Sequence, residues 1–229
     1  MSENMIKEGM SHDMNLFPTP VRLISLPGKY AKVCNFFDEQ KHYPIGENAS
    51  LYGSHSENTY ILDEPECKDL KKYILEQVKK YNDEVLGYNV DEWIFSQTWI
   101  SHKEPGEAHI PHTHPNSVIS GVFFYGGVVE KTSSIEFHPP GSFSSYNTFL
   151  VEKKFNEKNP NTWKSFAISF DVGKFILFPS FLQHGVPKNE TDMVRKSISM
   201  NIVPKLSLIH ISEPTRPLYS SYAVFCVKK

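Results

Sequence analysis

From Trp93 onward the chain alternates, with Trp93, Phe95, Gln97 and Trp99 on one side and Ile94, Ser96, Thr98 and Ile100 on the other. A period of two is that of a β-strand, whose side chains point to opposite faces in turn. Comparable short runs follow at Ser117–Val129, Ser134–Phe137, Phe166–Val172, Lys174–Phe178 and Arg195–Val203. Ahead of them the apolar positions take helical spacing: Leu70, Tyr73, Ile74, Gln77, Val78, Tyr81 and Val85 recur until Gly87. Asp63 with Glu66 has capping-box spacing and Pro65 suits a first turn, so a helix is predicted over about 65–86. Its apolar stripe reads as a core-facing surface. Val21, Leu23 and Ser25 form one more alternating run, confined to a sheet edge by the prolines just before it. Residues 27–62 are turn-rich and carry no clear period. Many short strands and one flanking N-terminal helix predict a mainly β fold, a sandwich or barrel.

Composition narrows this picture. At 229 residues and 39% apolar content, the chain suits one sizeable domain, expected over 16–204 with its β core at about 92–204. Residues 1–15 are polar and aperiodic and read as a loose arm. The net charge of -2, from 24 basic and 26 acidic residues, sets up no field to attract nucleic acid. A small-molecule or peptidic partner is the expectation. No stretch approaches the ~20 apolar residues of a membrane helix, and no apolar leader is visible, so a cytoplasmic location is expected. Cys34, Cys67 and Cys226 form neither a CxxC pair nor a disulfide framework, and reduced thiols are expected.

One stretch is set aside. Leu206 to Arg216 reads LSLIHISEPTR, the in-frame translation of a transposon-end sequencing adapter, and Ser221 to Cys226 resembles the translated remainder of such an adapter. Residues 205–229 are therefore read as a non-native, poorly packed tail, and His210 and Cys226 enter no site argument. The alternative is a genuine terminal strand with Ile209, Ile211, Val224 and Phe225 in the core.

The densest chemical cluster is Gly106-Glu107-Ala108-His109-Ile110-Pro111-His112-Thr113-His114-Pro115. Two imidazoles at i and i+2 point the same way on a strand, so His112 and His114 can converge on one ion of the first transition row. His184 is the candidate third ligand, delivered by the apolar run Gly173–Pro179. Three such ligands occupy one face of an octahedron and leave the rest open. An HxH pair by itself is a weak signal, equally consistent with exposed or hydrogen-bonded histidines. His109, at odd spacing from His112, is expected on the opposite strand face. His12, His42, His55, His102 and His138 are read as structural or exposed. Eleven residues beyond His184, Arg195 shares a strand face with Ser197 and Ser199. A guanidinium matches a carboxylate in two-pronged geometry, and the Ser197 hydroxyl is placed to donate to the same group. The alternative for Arg195 is a surface residue at a strand end.

These pieces resemble the 2-oxoglutarate/iron(II) oxygenases common in phages and marine bacteria. The likeness rests on Leu16-Phe17-Pro18-Thr19-Pro20-Val21, on His112-Thr113-His114-Pro115-Asn116-Ser117 with Ser120–Tyr125, on Leu177-Phe178-Pro179-Ser180 through His184, and on Arg195 to Asn201. It implies a double-stranded β-helix, a jelly-roll or cupin-like fold, with Fe(II) and 2-oxoglutarate as cofactor and co-substrate. His112 and His184 match the superfamily's two histidines, and Arg195 with Ser197 matches its anchor for the far carboxylate. His114 departs from it, standing where the superfamily usually carries Asp or Glu. Trp99, Phe123, Phe124 and Tyr125 are expected to line the pocket, with Tyr125 or Gln97 hydrogen-bonding the co-substrate. Two rival readings stay open: a cupin-type three-histidine metalloenzyme without 2-oxoglutarate, and a non-catalytic β-barrel binding module. The implied reaction is a hydroxylation that releases succinate and carbon dioxide.

Overall fold

Interruptions of strict alternation shape this molecule as much as the alternation does. In the computed structural model, residues 18–45, 52–127, 134–140, 154–160, 163–169 and 171–205 are described. The arm over 1–15 and the adapter-like tail over 206–229 lie outside the described residues. The strands are β1 (Arg22–Ser25), β2 (His42–Pro44), β3 (Ser54–Ser56), β4 (Trp93–Lys103), β5 (His109–His112), β6 (Ile119–Gly126), β7 (Ile135–Phe137), β8 (Phe166–Ile168), β9 (Lys174–Pro179), β10 (His184–Val186) and β11 (Arg195–Pro204). They form a seven-stranded sheet, β1-β9-β6-β11-β4-β3-β2, and a four-stranded sheet, β5-β10-β7-β8. Neighbours in both sheets run antiparallel. β1 sits at the edge, as its prolines predicted.

The large sheet is covered on both faces, which is why β6 and β9 read as nearly continuous apolar runs. On the outer face, α1 (Val33–Asp38) and α2 (Lys68–Tyr81) pack Phe37, Leu70, Ile74 and Val78 against Ile100, Phe123, Phe175 and Ile198. On the inner face, Val122, Phe124, Ile176 and Phe178 meet Ile135 and Phe137 of the smaller sheet. Each fully buried aliphatic or aromatic side chain contributes about 1.5–3 kcal/mol, so these two layers carry most of the stability. Among the described residues no helix is long and apolar enough to cross a membrane.

The helix starts differently from its sequence signal. A single 3-10 turn at Pro65–Cys67 precedes α2, and no side-chain cap bond forms there. Asp63 instead pairs with Lys71 at 2.6 Å. At the far end a π turn over Asn82–Leu86 leads to Gly87, and the Asn82 amide clasps Tyr88 through two 3.0 Å bonds.

The first interruption lies on β4. Asn201 pairs with Gln97 but Ile202 pairs with Phe95, so Ser96 is an extra residue bulged out of the ladder. The bulge exchanges the faces: Trp93 and Phe95 join the outer core, whereas Trp99 turns inward. The expectation that all four of Trp93, Phe95, Gln97 and Trp99 share a face is thus corrected. The second interruption lies on β5, where His184 pairs with His112 but Val186 pairs with His109.

Candidate active site

Between the two sheets lies a cavity whose lining includes Trp99, Ser101, His109, His112, His114, Ser120, His184, Arg195, Ser197 and Ser199. His112 ends β5 and faces His184, which starts β10. Their rings are 4.5 Å apart. His114 lies just past the strand, held by a 3.0 Å bond from its backbone N–H to the Ser180 carbonyl, with its ring 4.9 Å from His112 and 5.1 Å from His184. One nitrogen from each of the three falls within 4.8 Å of the others, so all three can reach a single ion. The i, i+2 logic therefore places the pair correctly, although only His112 belongs to the strand. Among the described residues no carboxylate joins the cluster.

Backbone carbonyls set the tautomers. His112 Nδ1 lies 3.0 Å from the Ile110 carbonyl and His184 Nδ1 lies 2.9 Å from that of Leu182. A carbonyl only accepts, so each Nδ1 carries the proton and each Nε2 presents a lone pair, as a metal ligand must. Burial, and after it the neighbouring imidazole of His112, pushes His184 down to about 3 and His114 to about 4. Burial lowers His112 as well. The donor set is neutral and soft enough for ferrous iron, and it fits that ion.

The opposite end of the cavity is closed and cationic. Arg195 is fully buried, with its guanidinium carbon 4.6 Å over the Phe124 ring. Nη1 donates to Ser197 Oγ at 3.1 Å, while Nε and Nη2 meet no partner among the described residues. Desolvation lowers this group to about 9, so it remains charged at neutral pH. Orphaned guanidinium donors in a buried pocket are the complement of a carboxylate. The reading of Arg195 as a surface residue is set aside by its burial.

Not every sequence candidate arrives here. Tyr125 and Phe123 point to the outer core, and the Tyr125 hydroxyl meets His102 Nε2 at 2.7 Å. Tyr125 thus lies outside the cavity lining, on the face of β6 opposite Val122 and Phe124. Gln97 is exposed on β4 outside the lining, beyond Trp99. Ser197 orients Arg195, and its own hydroxyl donates toward the Ser101 carbonyl at 3.4 Å. Phe124 contributes as the floor beneath the guanidinium, and Trp99 stands 6.2 Å from His114. His42 stacks on His102 at 3.9 Å outside the cavity, in keeping with a structural role.

His109 corrects an expectation. The β5 bulge turns it onto the same side as His112, with the two rings stacked at 4.4 Å and both in the lining. Pro111 was the available signal, since a proline inside a strand removes a ladder donor and invites a bulge. The bulged strand comes so near β10 that a Cβ on Gly185 would lie 2.7 Å from the His109 carbonyl oxygen. Only glycine allows that approach. Ser101 and Lys103, further along β4 than the alternation suggested, also belong to this end of the molecule.

Comparison with known proteins agrees with this geometry. Residues 97–201 match the family model described as "Putative 2OG-Fe(II) oxygenase". No curated protein matches the chain in sequence. Among solved structures, a prolyl-4-hydroxylase from Pseudomonas putida superposes with a TM-score of 0.54 at 12% identity, covering 82% of this chain and 94% of that one. The epimerase SnoN, in complex with Fe3+, alpha-ketoglutarate and nogalamycin RO, gives 0.57 at 12% identity, covering 81% and 79%. A prolyl hydroxylase from Trichoplax adhaerens, in complex with a hypoxia-inducible-factor peptide fragment, gives 0.53 at 14% identity, covering 80% and 83%. The shared architecture is the double-stranded β-helix, and the strands that build the cavity are the part of the chain that matches the 2OG-Fe(II) oxygenase family model.

Proposed function

We propose that this oxygenase hydroxylates a small molecule or a peptide segment, with iron held by His112, His114 and His184 and the far carboxylate of 2-oxoglutarate held by Arg195. The observation that carries the assignment is the pair of orphaned donors, Nε and Nη2 of Arg195, at the closed end of the cavity that the three imidazoles share. When bound, ferrous iron and 2-oxoglutarate supply the oxidising chemistry: dioxygen is consumed, one oxygen atom enters a substrate C–H bond, and succinate and carbon dioxide leave.

The chain's own residues bind, orient and exclude water. Ile110 and Leu182 carbonyls lock two imidazoles with Nε2 inward. Ser197 and the Phe124 ring hold the guanidinium in the plane a carboxylate needs. Val122 and Phe178 dry the wall between the two ends. With three neutral ligands the protein cancels none of the ion's charge, which favours a doubly negative co-substrate.

The test is anaerobic addition of 2-oxoglutarate to iron(II)-loaded protein, read by the weak visible metal-to-ligand charge-transfer band. The band should appear in the wild type and in Lys196→Ala, and vanish in Arg195→Ala. That no carboxylate among the described residues joins the three histidines gives a cupin-type three-histidine enzyme as the second reading. That reading predicts bound iron with no band, and this outcome would overturn the first.

A further inference from the structure

Behind Ser101, at the Arg195 end of the cavity, lies a second buried cation. Lys103 ends β4 directly opposite Arg195 on β11 and is fully buried. Its Nζ donates to Ser101 Oγ at 2.8 Å and to the His102 carbonyl at 3.2 Å, and neither acceptor is an anion. The wall over it closes only because residue 53 has no side chain: Gly53 has φ +68°, and a Cβ there would lie 2.5 Å from Lys103 Cδ and 2.7 Å from Nζ. The Asn189 amide fixes this end by donating to the Lys103 carbonyl at 2.9 Å.

Ser101 lines the cavity and connects Lys103 to it. Its Oγ accepts from Lys103, so its own hydroxyl hydrogen is free to donate, and it meets no acceptor among the described residues. The Ser197 hydroxyl is already directed to the Ser101 carbonyl. The free hydroxyl donor beside Arg195 is therefore that of Ser101. Two adjacent buried positive charges with no anion hydrogen-bonded to either among the described residues are costly, and a carboxylate placed between their donors removes that cost.

We propose that Lys103, acting through the Ser101 hydroxyl, is a second cationic anchor for the far carboxylate of 2-oxoglutarate, and that binding draws a proton from solvent onto Lys103 Nζ. This rests on reading the cavity as a 2-oxoglutarate site. Lys103 is a positioning residue, since Ser101 stands between it and the bound anion. The groups that face it are Arg195 on β11, Glu107 in the turn after β4, and His109 and His112 on β5. Burial, then the Arg195 charge, lowers the amine to about 7, against a smaller upward pull from Glu107. The amine is thus half neutral near pH 7 before the anion arrives, and an adjacent carboxylate raises it again.

The experiment titrates 2-oxoglutarate into anaerobic iron(II)-loaded protein at pH 6 and pH 8. The charge-transfer band gives the affinity, and calorimetry in HEPES and in Tris gives the proton count. Wild-type affinity should fall about tenfold from pH 6 to pH 8, with close to one proton taken up at pH 8. Lys103→Gln should bind roughly tenfold more weakly at pH 6, with no pH slope and no proton uptake. Ser101→Ala, which keeps the lysine, should weaken binding similarly. Should Lys103→Gln fail to fold, the wild-type proton count and Ser101→Ala decide. Wild-type binding without proton uptake, or Lys103→Gln with wild-type affinity and slope, overturns the role of Lys103 and leaves the functional reading standing. Iron-loaded wild type that binds no 2-oxoglutarate overturns both.

Discussion

Replacing Arg195 by Met separates a ligand-binding cation from a structural one. The side chain is fully buried, and Met preserves most of its volume over Phe124. Desolvation lowers the guanidinium from its ordinary 12.5 to about 9, which corresponds to on the order of 4–5 kcal/mol against folding at neutral pH. The stack on Phe124 offsets about 1–2 kcal/mol of this, and the bond to Ser197 about 1 kcal/mol. The residue is left near 2 kcal/mol unfavourable in the empty protein. Arg195→Met should therefore raise the apo melting temperature by about 4–8 °C for a chain of this size. The same substitution removes two charge-assisted bonds to the co-substrate, at least about 3 kcal/mol, or more than a hundredfold in 2-oxoglutarate affinity. Differential scanning calorimetry on iron-free protein and the anaerobic titration measure the two effects on one preparation. A variant that melts several degrees lower while binding 2-oxoglutarate normally would refute the reasoning and make Arg195 a structural residue.

Three further outcomes are expected. His184→Ala removes a ligand from the centre of the triad and should weaken iron(II) more than the ~10–100-fold typical of outer hydrogen-bond partners, measured by competition with a chelator. Gly185→Val places a Cβ 2.7 Å from the His109 carbonyl, so it should shift β5 from β10 and reduce iron affinity, while circular dichroism still reports the β fold. The pH dependence of apo stability follows from His102, His109, His114 and His184, whose folded values burial depresses to about 4, 3, 4 and 3. Below their ordinary 6.5 the unfolded chain takes up protons that the folded chain refuses, so stability is present above pH 6.5 and is lost as pH falls toward 4. Each group contributes up to about 1.4 kcal/mol per pH unit, and urea midpoints at pH 7, 6 and 5 that do not decline would contradict it.

The legible parts of this protein are those that local periodicity controls. The α2 stripe Leu70, Ile74, Val78 and Tyr81 is buried as its spacing predicts, and the runs at Ile119–Gly126 and Lys174–Pro179 are central strands. His112, His114, His184 and Arg195 were named from spacing and resemblance, and the tertiary structure brings all four to one cavity. What failed was alternation carried through a bulge. Ser96 on β4 and the Ile110–Pro111 step on β5 each add a residue to one strand, and every side chain beyond reverses its face. His109 was overlooked for want of that one-residue count, whereas Gln97 lies too far along β4 to join the lining and Tyr125 sits on the outer face of β6.

The sequence by itself determined which segments are strand or helix and which residue types can hold a metal and a carboxylate, because those depend on side chains a few positions apart. Only the tertiary structure decided which face each strand turns inward, that Arg195 is enclosed with no anion bonded to it among the described residues, and that Lys103 lies beside it. Those facts depend on the pairing of β4 with β11 and of β5 with β10, between residues far apart in the chain. A buried charge becomes an unmet demand for a ligand only when every group around it is known.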